Sequence, residues 1–121
     1  LGNIYYRADR VQKPLSKLRS IPIKKNMGWC DDPNSKFYNK QIEIKKNLKI
    51  NYEKLYRKDH KYDFFILIKY NHKNPIRFKG SAIFLHLTKN YLPTKGCIAL
   101  SEKDFLILAK LISKKTKIKI N

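Results

Sequence analysis

Acidic residues are scarce in this chain. Only 9 Asp and Glu stand against 28 Lys and Arg in 121 residues, a formal net charge of +19. That imbalance invites a nucleic-acid or other anionic partner. The kind of base weakens the invitation: 23 of the 28 are Lys and 5 are Arg, and Lys, Ile (15) and Asn (10) together fill 48 of the 121 positions, a bias that AT-rich coding produces without functional demand. Long hydrophobic runs are missing as well. The longest, Phe64 to Ile68 and Phe105 to Ala109, hold five residues each, against the ~20 a membrane-spanning helix needs. Two cysteines, Cys30 and Cys97, allow at most one disulfide. The opening Leu1-Gly2-Asn3-Ile4 has neither Met nor the apolar stretch of a signal peptide, so a mature product or a fragment is expected and the N-terminus does not report localisation. What is plentiful is apolar side chain. At 42% hydrophobic and 12% aromatic residues the chain is no disordered basic tail. Its length suits one domain, able to bury roughly 60 to 70% of the surface its unfolded form exposes.

The first half reads as irregular, with short apolar groups divided by Pro14, Pro22, Gly28 and Pro33. A strand is expected at Ile4 to Ala8, followed by loops. Asp31-Asp32-Pro33-Asn34-Ser35 is a turn cluster, because Asp, Asn and Ser bond to their own backbone and Pro presets φ. Lys45 to Lys58 fits either a short helix or a solvated loop. In the second half, Asp63 to Tyr70 is dense in β-branched and aromatic residues and predicts a central strand. Gly80 to His86 predicts a second strand buried on both sides, with His86 on the face of Ala82 and Phe84. Ser101 is a helix N-cap with Asp104 three residues on and Glu102 in the positive first turn. Phe105, Leu108, Ala109 and Ile112 form an apolar stripe, which predicts an amphipathic helix from Glu102 to Ser113. Thr116 to Ile120 alternates Lys with Ile and predicts a closing edge strand.

The chemistry concentrates around His86 and Cys97, eleven residues apart. A cysteine nucleophile needs a thiolate, a nearby base and donors for the developing oxyanion. Gly96 lets the backbone turn tightly beside the thiol, so that its amide and that of Cys97 can point at a bound carbonyl. Lys95 adds a positive charge that favours the thiolate. The bare spacing fits a small core residue and a satisfied histidine equally well.

The wording of the segment goes further. Gly80-Ser81-Ala82-Ile83-Phe84-Leu85-His86 followed by Pro93-Thr94-Lys95-Gly96-Cys97-Ile98-Ala99-Leu100 resembles the active-site signature of the YkuD-like L,D-transpeptidases: a His, a variable loop, Ser or Thr, a variable residue, then Gly-Cys. Tyr6-Arg7-Ala8-Asp9-Arg10, Gly28-Trp29-Cys30-Asp31-Asp32, Tyr38-Asn39, Glu53 to Asp59 and Tyr62-Asp63 are similar to recurrent blocks of a proteobacterial branch of that family. Lys95 stands where many members have His, and Ala99 where many have Arg or Asn. The family's earlier Gly-rich and Thr-Pro segment is absent, so the chain is expected to be one catalytic domain, residues 1 to 121, lacking its N-terminal portion.

The resemblance implies a mainly β, sandwich-like catalytic fold with a C-terminal helix, and a cysteine acyltransferase acting on peptidoglycan stem peptides in the periplasm or cell envelope. Under it, Cys97 is the nucleophile and His86 the general base, oriented by a backbone carbonyl at or near Leu87. Thr94, Lys95, Gly96 and the Cys97 amide shape the oxyanion hole and substrate position. No metal or organic cofactor is implied, and the chain is expected to be a monomer. An acceptor amine would complete a cross-link, whereas water would make the protein an L,D-carboxypeptidase.

Other candidates have plainer readings. Cys30, beside Asp31 and Asp32, is expected to be structural, and a Cys30 to Cys97 disulfide would disable the nucleophile. Asp31-Asp32 lacks the spaced His or carboxylate partners of a metal site. His60 and His72 lie in Lys-rich turns and are expected to be solvated. Trp29, Tyr5, Tyr6, Tyr38 and Tyr91 interleave with lysines as a single-strand nucleic-acid platform would. Without an RNP-like, KH or helix-turn-helix signature, core or groove lining is the expected role, and a basic nucleic-acid-binding module is the alternative outside enzymes.

Overall fold

The computed structural model describes residues 1–70, 76, 81–88 and 98–118. Eight short strands and one helix follow in order: β1 (Ile4–Tyr6), β2 (Ser20–Pro22), β3 (Met27–Cys30), β4 (Gln41–Glu43), β5 (Tyr52–Lys54), β6 (Phe64–Leu67), β7 (Phe84–Leu87), β8 (Ile98–Leu100) and α1 (Glu102–Leu111). The architecture is mainly β with a C-terminal helix. Five strands form one sheet in the order β2-β1-β6-β7-β8, and three form a second in the order β4-β3-β5. Among the described residues no helix is long and apolar enough to cross a membrane.

The apolar runs that predicted central strands occupy the middle of the large sheet, β6 pairing with β7 antiparallel and both buried throughout. Burial on both faces explains their unbroken hydrophobicity. Strand alternation then divides them between two cores. Ile4, Phe64, Ile66, Leu85 and Leu87 point to one side, where Phe105, Ala109 and Ile112 of the helical stripe cover them. Tyr5, Phe65, Leu67 and Phe84 point to the other, where Trp29 and Leu55 of the small sheet's region meet them. The Trp29 indole stands edge-on to Phe84 at 5.3 Å between ring centres.

The helix starts where expected, with the Ser101 hydroxyl accepting from the Asp104 amide at 3.2 Å. It stops at Leu111, two residues before the expected end. Ser113 and Thr116 then close a turn on each other, the Ser113 amide donating to Thr116 Oγ1 at 2.9 Å and the Thr116 amide to Ser113 O at 3.0 Å. The turn replaces the first part of the expected edge strand: residues 116–118 are not extended into a sheet, and 119–120 lie outside the described residues. The first strand ends at Tyr6 rather than Ala8, because Arg7 and Asp9 turn towards each other in an ion pair of 2.8 Å.

The irregular first half is more ordered than its composition predicts. Gly28 is no break but the middle of β3, paired with Ile42 and Lys54. A Cβ there would stand 3.0 Å from the Ile44 side chain. Lys45 to Lys58 contains β5 and turns instead of a helix. The second central strand begins at Phe84, and Ala82 before it takes a φ of 54°. An L side chain in that left-handed region costs roughly 1–2 kcal/mol, so neighbours must hold it. Asn39 does so. Its side-chain oxygen accepts from the Ala82 amide at 3.2 Å and from the Trp29 indole at 3.0 Å, while its Nδ2 donates to Tyr70 O at 3.1 Å. Asn39 itself sits at φ 58°, a conformation Asn tolerates better than most residues.

Asn39→Ala is therefore expected to lower unfolding free energy by about 2–4 kcal/mol, since it removes one buried acceptor serving two donors. Urea titration checks this, and a loss below about 1 kcal/mol would contradict the role of Asn39. Phe105→Ala, which empties the helix side of the core, is expected to cost about 3–5 kcal/mol by the same titration.

Candidate active site

His86 lies in β7, on the same face as Phe84, and is only 1% exposed. Its Nδ1 is 2.9 Å from the Leu87 carbonyl oxygen. A carbonyl can only accept, so Nδ1 carries the hydrogen and the neutral ring holds its lone pair on Nε2. That Nε2 is the one buried side-chain nitrogen or oxygen among the described residues without a hydrogen-bond partner. Buried polar atoms are nearly always paired, and exceptions cluster where chemistry is done. Burial pushes the imidazolium below its ordinary value of 6.5, with the charges of Lys61 and Arg57 acting in the same direction and the Leu87 carbonyl opposing. At neutral pH the ring is an uncharged base with its accepting nitrogen unengaged.

Around the ring stands a shell to whose residues the sequence assigned no role. Tyr62 packs against His86 at 5.7 Å between ring centres and is itself 2% exposed. Its hydroxyl donates to the Glu53 carboxylate, and the Arg57 guanidinium lies over its ring, 5.2 Å from the ring centre. Arg57 is held in turn by Asp59 at 2.6 Å, which keeps the Asp59 carboxyl below the ordinary carboxylate range. The Leu87 amide donates to Lys61 O at 3.1 Å. A signal for this shell does exist in composition. Four of the nine acidic residues, Asp9, Glu53, Asp59 and Asp63, and three of the five arginines, Arg7, Arg10 and Arg57, meet in it. In a chain that otherwise uses lysine, arginine marks the positions where a planar fork is needed.

The other expected site residues are distributed as follows. Thr94, Lys95, Gly96 and Cys97 lie outside the described residues, as do His72 and Tyr91. The strand that begins immediately after Cys97 is β8, which runs parallel to β7 with Ile98 opposite Leu85 and Ala99 opposite His86. The residue bonded to Cys97 is thus registered beside the residue bonded to His86. Cys30 is a fully buried free thiol whose carbonyl accepts from Ser81 Oγ at 2.9 Å and from the Asn39 amide at 2.8 Å. His60 is more than solvated: its Nδ1 lies 2.7 Å from Asp63. Trp29, Tyr5 and Tyr38 are buried, so their faces belong to the core and not to a stacking platform. Among the described residues no group of three His, Cys, Asp or Glu could hold a metal ion.

A family model described as YkuD, L,D-transpeptidase catalytic domain, matches residues 2–120. No curated protein and no solved structure matches the chain.

Because burial lowers the His86 value, the unfolded chain takes up a proton there before the folded one does. Stability is therefore constant above about 6.5 on this account and falls as pH drops through the lowered folded value. The carboxyls of Asp9 and Asp59, both lowered by arginine partners, act in a separate window below pH ~4. Urea midpoints measured from pH 8 down to 4.5 are expected to fall for the wild type and to stay flat for His86→Gln. Parallel curves for the two proteins would contradict the buried neutral ring.

Proposed function

Because the chain belongs to the YkuD family of L,D-transpeptidase catalytic domains, we propose that it is a peptidoglycan L,D-transpeptidase. Cys97 is its nucleophile and His86 its general base. The observation that carries this reading is the buried histidine of β7, tethered through Nδ1 and unpaired at Nε2, on the strand registered beside the one that opens after Cys97. We also assign it to the proteobacterial branch whose motif reads Gly80 to His86 and Pro93 to Leu100.

In the first half-reaction Nε2 takes the Cys97 thiol proton, and the sulfur attacks the carbonyl of the third residue of a stem peptide. The backbone amides of Lys95, Gly96 and Cys97, with Thr94 beside them, stabilise the oxyanion. The tetrahedral centre collapses with cleavage of the peptide bond. The leaving amine of the terminal D-amino acid takes the proton back from His86, and the acyl group stays on sulfur as a thioester. In the second half-reaction an amine of another stem peptide attacks the thioester and gives up a proton to His86. The cross-link forms, and the thiol is restored by the same proton. Every proton moves through one nitrogen, so the ring must be neutral at the start of each half, as its burial ensures. No metal or organic cofactor takes part. The Lys95 charge beside the thiol favours the thiolate. The substrate sets the place of work as the periplasm or cell envelope, and one active site per chain makes a monomer sufficient.

Incubation with a disaccharide-tetrapeptide, followed by mass analysis of products, is expected to show a cross-linked dimer and one released D-amino acid per bond. Free tripeptide without dimer would instead identify a carboxypeptidase. Cys97→Ala is expected to reduce product to background. His86→Ala is expected to lower turnover about 10²- to 10⁴-fold. The acid limb of kcat/KM is expected below pH 6.5. Equal processing by Cys97→Ala would sink the mechanism.

A further inference from the structure

Leu87, the residue whose carbonyl orients His86, is itself anchored, and one anchor begins far away in sequence. Its carbonyl accepts from His86 Nδ1 at 2.9 Å, and its amide donates to Lys61 O at 3.1 Å. Lys61 belongs to a loop that arginines hold from beneath. Arg7 Nη1 donates to Arg57 O at 2.5 Å; Arg10 Nη2 donates to Lys58 O at 2.8 Å and Arg10 Nη1 to Asp59 O at 2.6 Å. Three successive carbonyls are thereby gathered onto two guanidinium groups. Arg10 also pairs at 2.8 Å with Asp63, the residue before β6, and Asp63 holds His60 with its other oxygen. The same loop carries Tyr62, whose ring lies against His86.

We propose that Arg10 is a positioning residue for the His86 base, acting through the carbonyls of Lys58 and Asp59, the Lys61 carbonyl and the Leu87 backbone, whose amide and carbonyl lie in successive peptide planes. A planar guanidinium can serve two carbonyls and a carboxylate together; the compact ammonium of lysine keeps the charge but cannot span that geometry. With the loop released, the Lys61 carbonyl no longer pins the Leu87 amide. The Leu87 carbonyl then keeps only the anchor of its own peptide plane, the Thr88 amide donating to Leu100 O at 2.7 Å, and the acceptor of the His86 Nδ1 hydrogen is held less firmly. Because Arg10 is at the rim, with its side chain 25% exposed, whereas Arg7 is 4% exposed, Arg10 can be changed with less damage to the core.

This inference rests on the reading of His86 as the base, so its test includes signals that need no turnover. In Arg10→Lys at pH 7.5, hydrogen exchange at the Leu87 amide and at the His86 ring Nδ1–H, followed by NMR, is expected to quicken at least tenfold. The Phe105 amide in α1, bonded to Ser101 O, is expected to keep its wild-type rate. Turnover is expected to show kcat about tenfold lower and KM within twofold of wild type. Arg19→Lys, a change at an exposed arginine, should match wild type throughout. Asp63→Asn, which leaves Arg10 an acceptor but no counter-charge, should move the same two exchange rates by a smaller factor and provides the test if Arg10→Lys folds poorly. Unchanged exchange at Leu87 and at the His86 ring in both variants would overturn the inference, as would a uniform rise that includes Phe105. A wild-type protein that processes no stem peptide would sink the reading of function while leaving the relay measurable.

Discussion

One hydrogen bond, from His86 Nδ1 to the Leu87 carbonyl, decides what kind of residue His86 is. β7 is sealed on both faces, by α1 on one side and by Trp29, Tyr62 and the small sheet's region on the other. A polar ring in such a place costs free energy unless it is paired. The Leu87 carbonyl satisfies one nitrogen and, by fixing the tautomer, leaves the other as a lone pair. A solvated histidine would share its proton between both nitrogens. Here burial and one acceptor together produce a neutral base with a single direction.

The rest of the large sheet serves that arrangement. The two cores differ in kind: the helix side is aliphatic apart from the Phe64 and Phe105 rings and the partly buried Tyr6, whereas the other side is a chain of aromatics from Tyr5 through Phe65 and Phe84 to Tyr62 and His86. Aromatic packing brings large rigid surfaces to the ring without adding charge. Around Tyr62 and His86 charge enters through Glu53, Arg57, Asp59 and Lys61. The remaining lysines are mostly spread over exposed positions. The net charge of +19 is thus chiefly a property of solvated faces, and the few acids and arginines are where electrostatics shapes the site.

What could be read from the sequence follows from periodicity. β6, β7 and α1 announce themselves because double burial gives unbroken apolar runs and a capped, striped helix. β2, β4 and β5 do not, since each is three residues long and only partly buried, too short for alternation to register. Gly28 misled because glycine usually marks a turn, whereas here it makes room for Ile44 between strands. Alternating Lys and Ile after residue 115 suggested a strand, and the side-chain bond between Ser113 and Thr116 prevailed locally. His86 was legible as a candidate from its place at the end of a buried strand. The role of the arginine-held loop was not: Tyr6 to Arg10, Glu53 to Asp59 and Tyr62-Asp63 stood out as blocks similar to the family, but Arg10 and Lys58 meet only through tertiary structure.

The central claim is that Cys97, served by His86, carries the acyl group. Intact-protein mass spectrometry after exposure to a carbapenem, followed by peptide mapping, tests it most directly. One adduct per chain is expected, on Cys97, forming far more slowly in His86→Ala, with the buried Cys30 unmodified. An adduct on Cys30, or labelling of Cys97 at the same rate without His86, would contradict it.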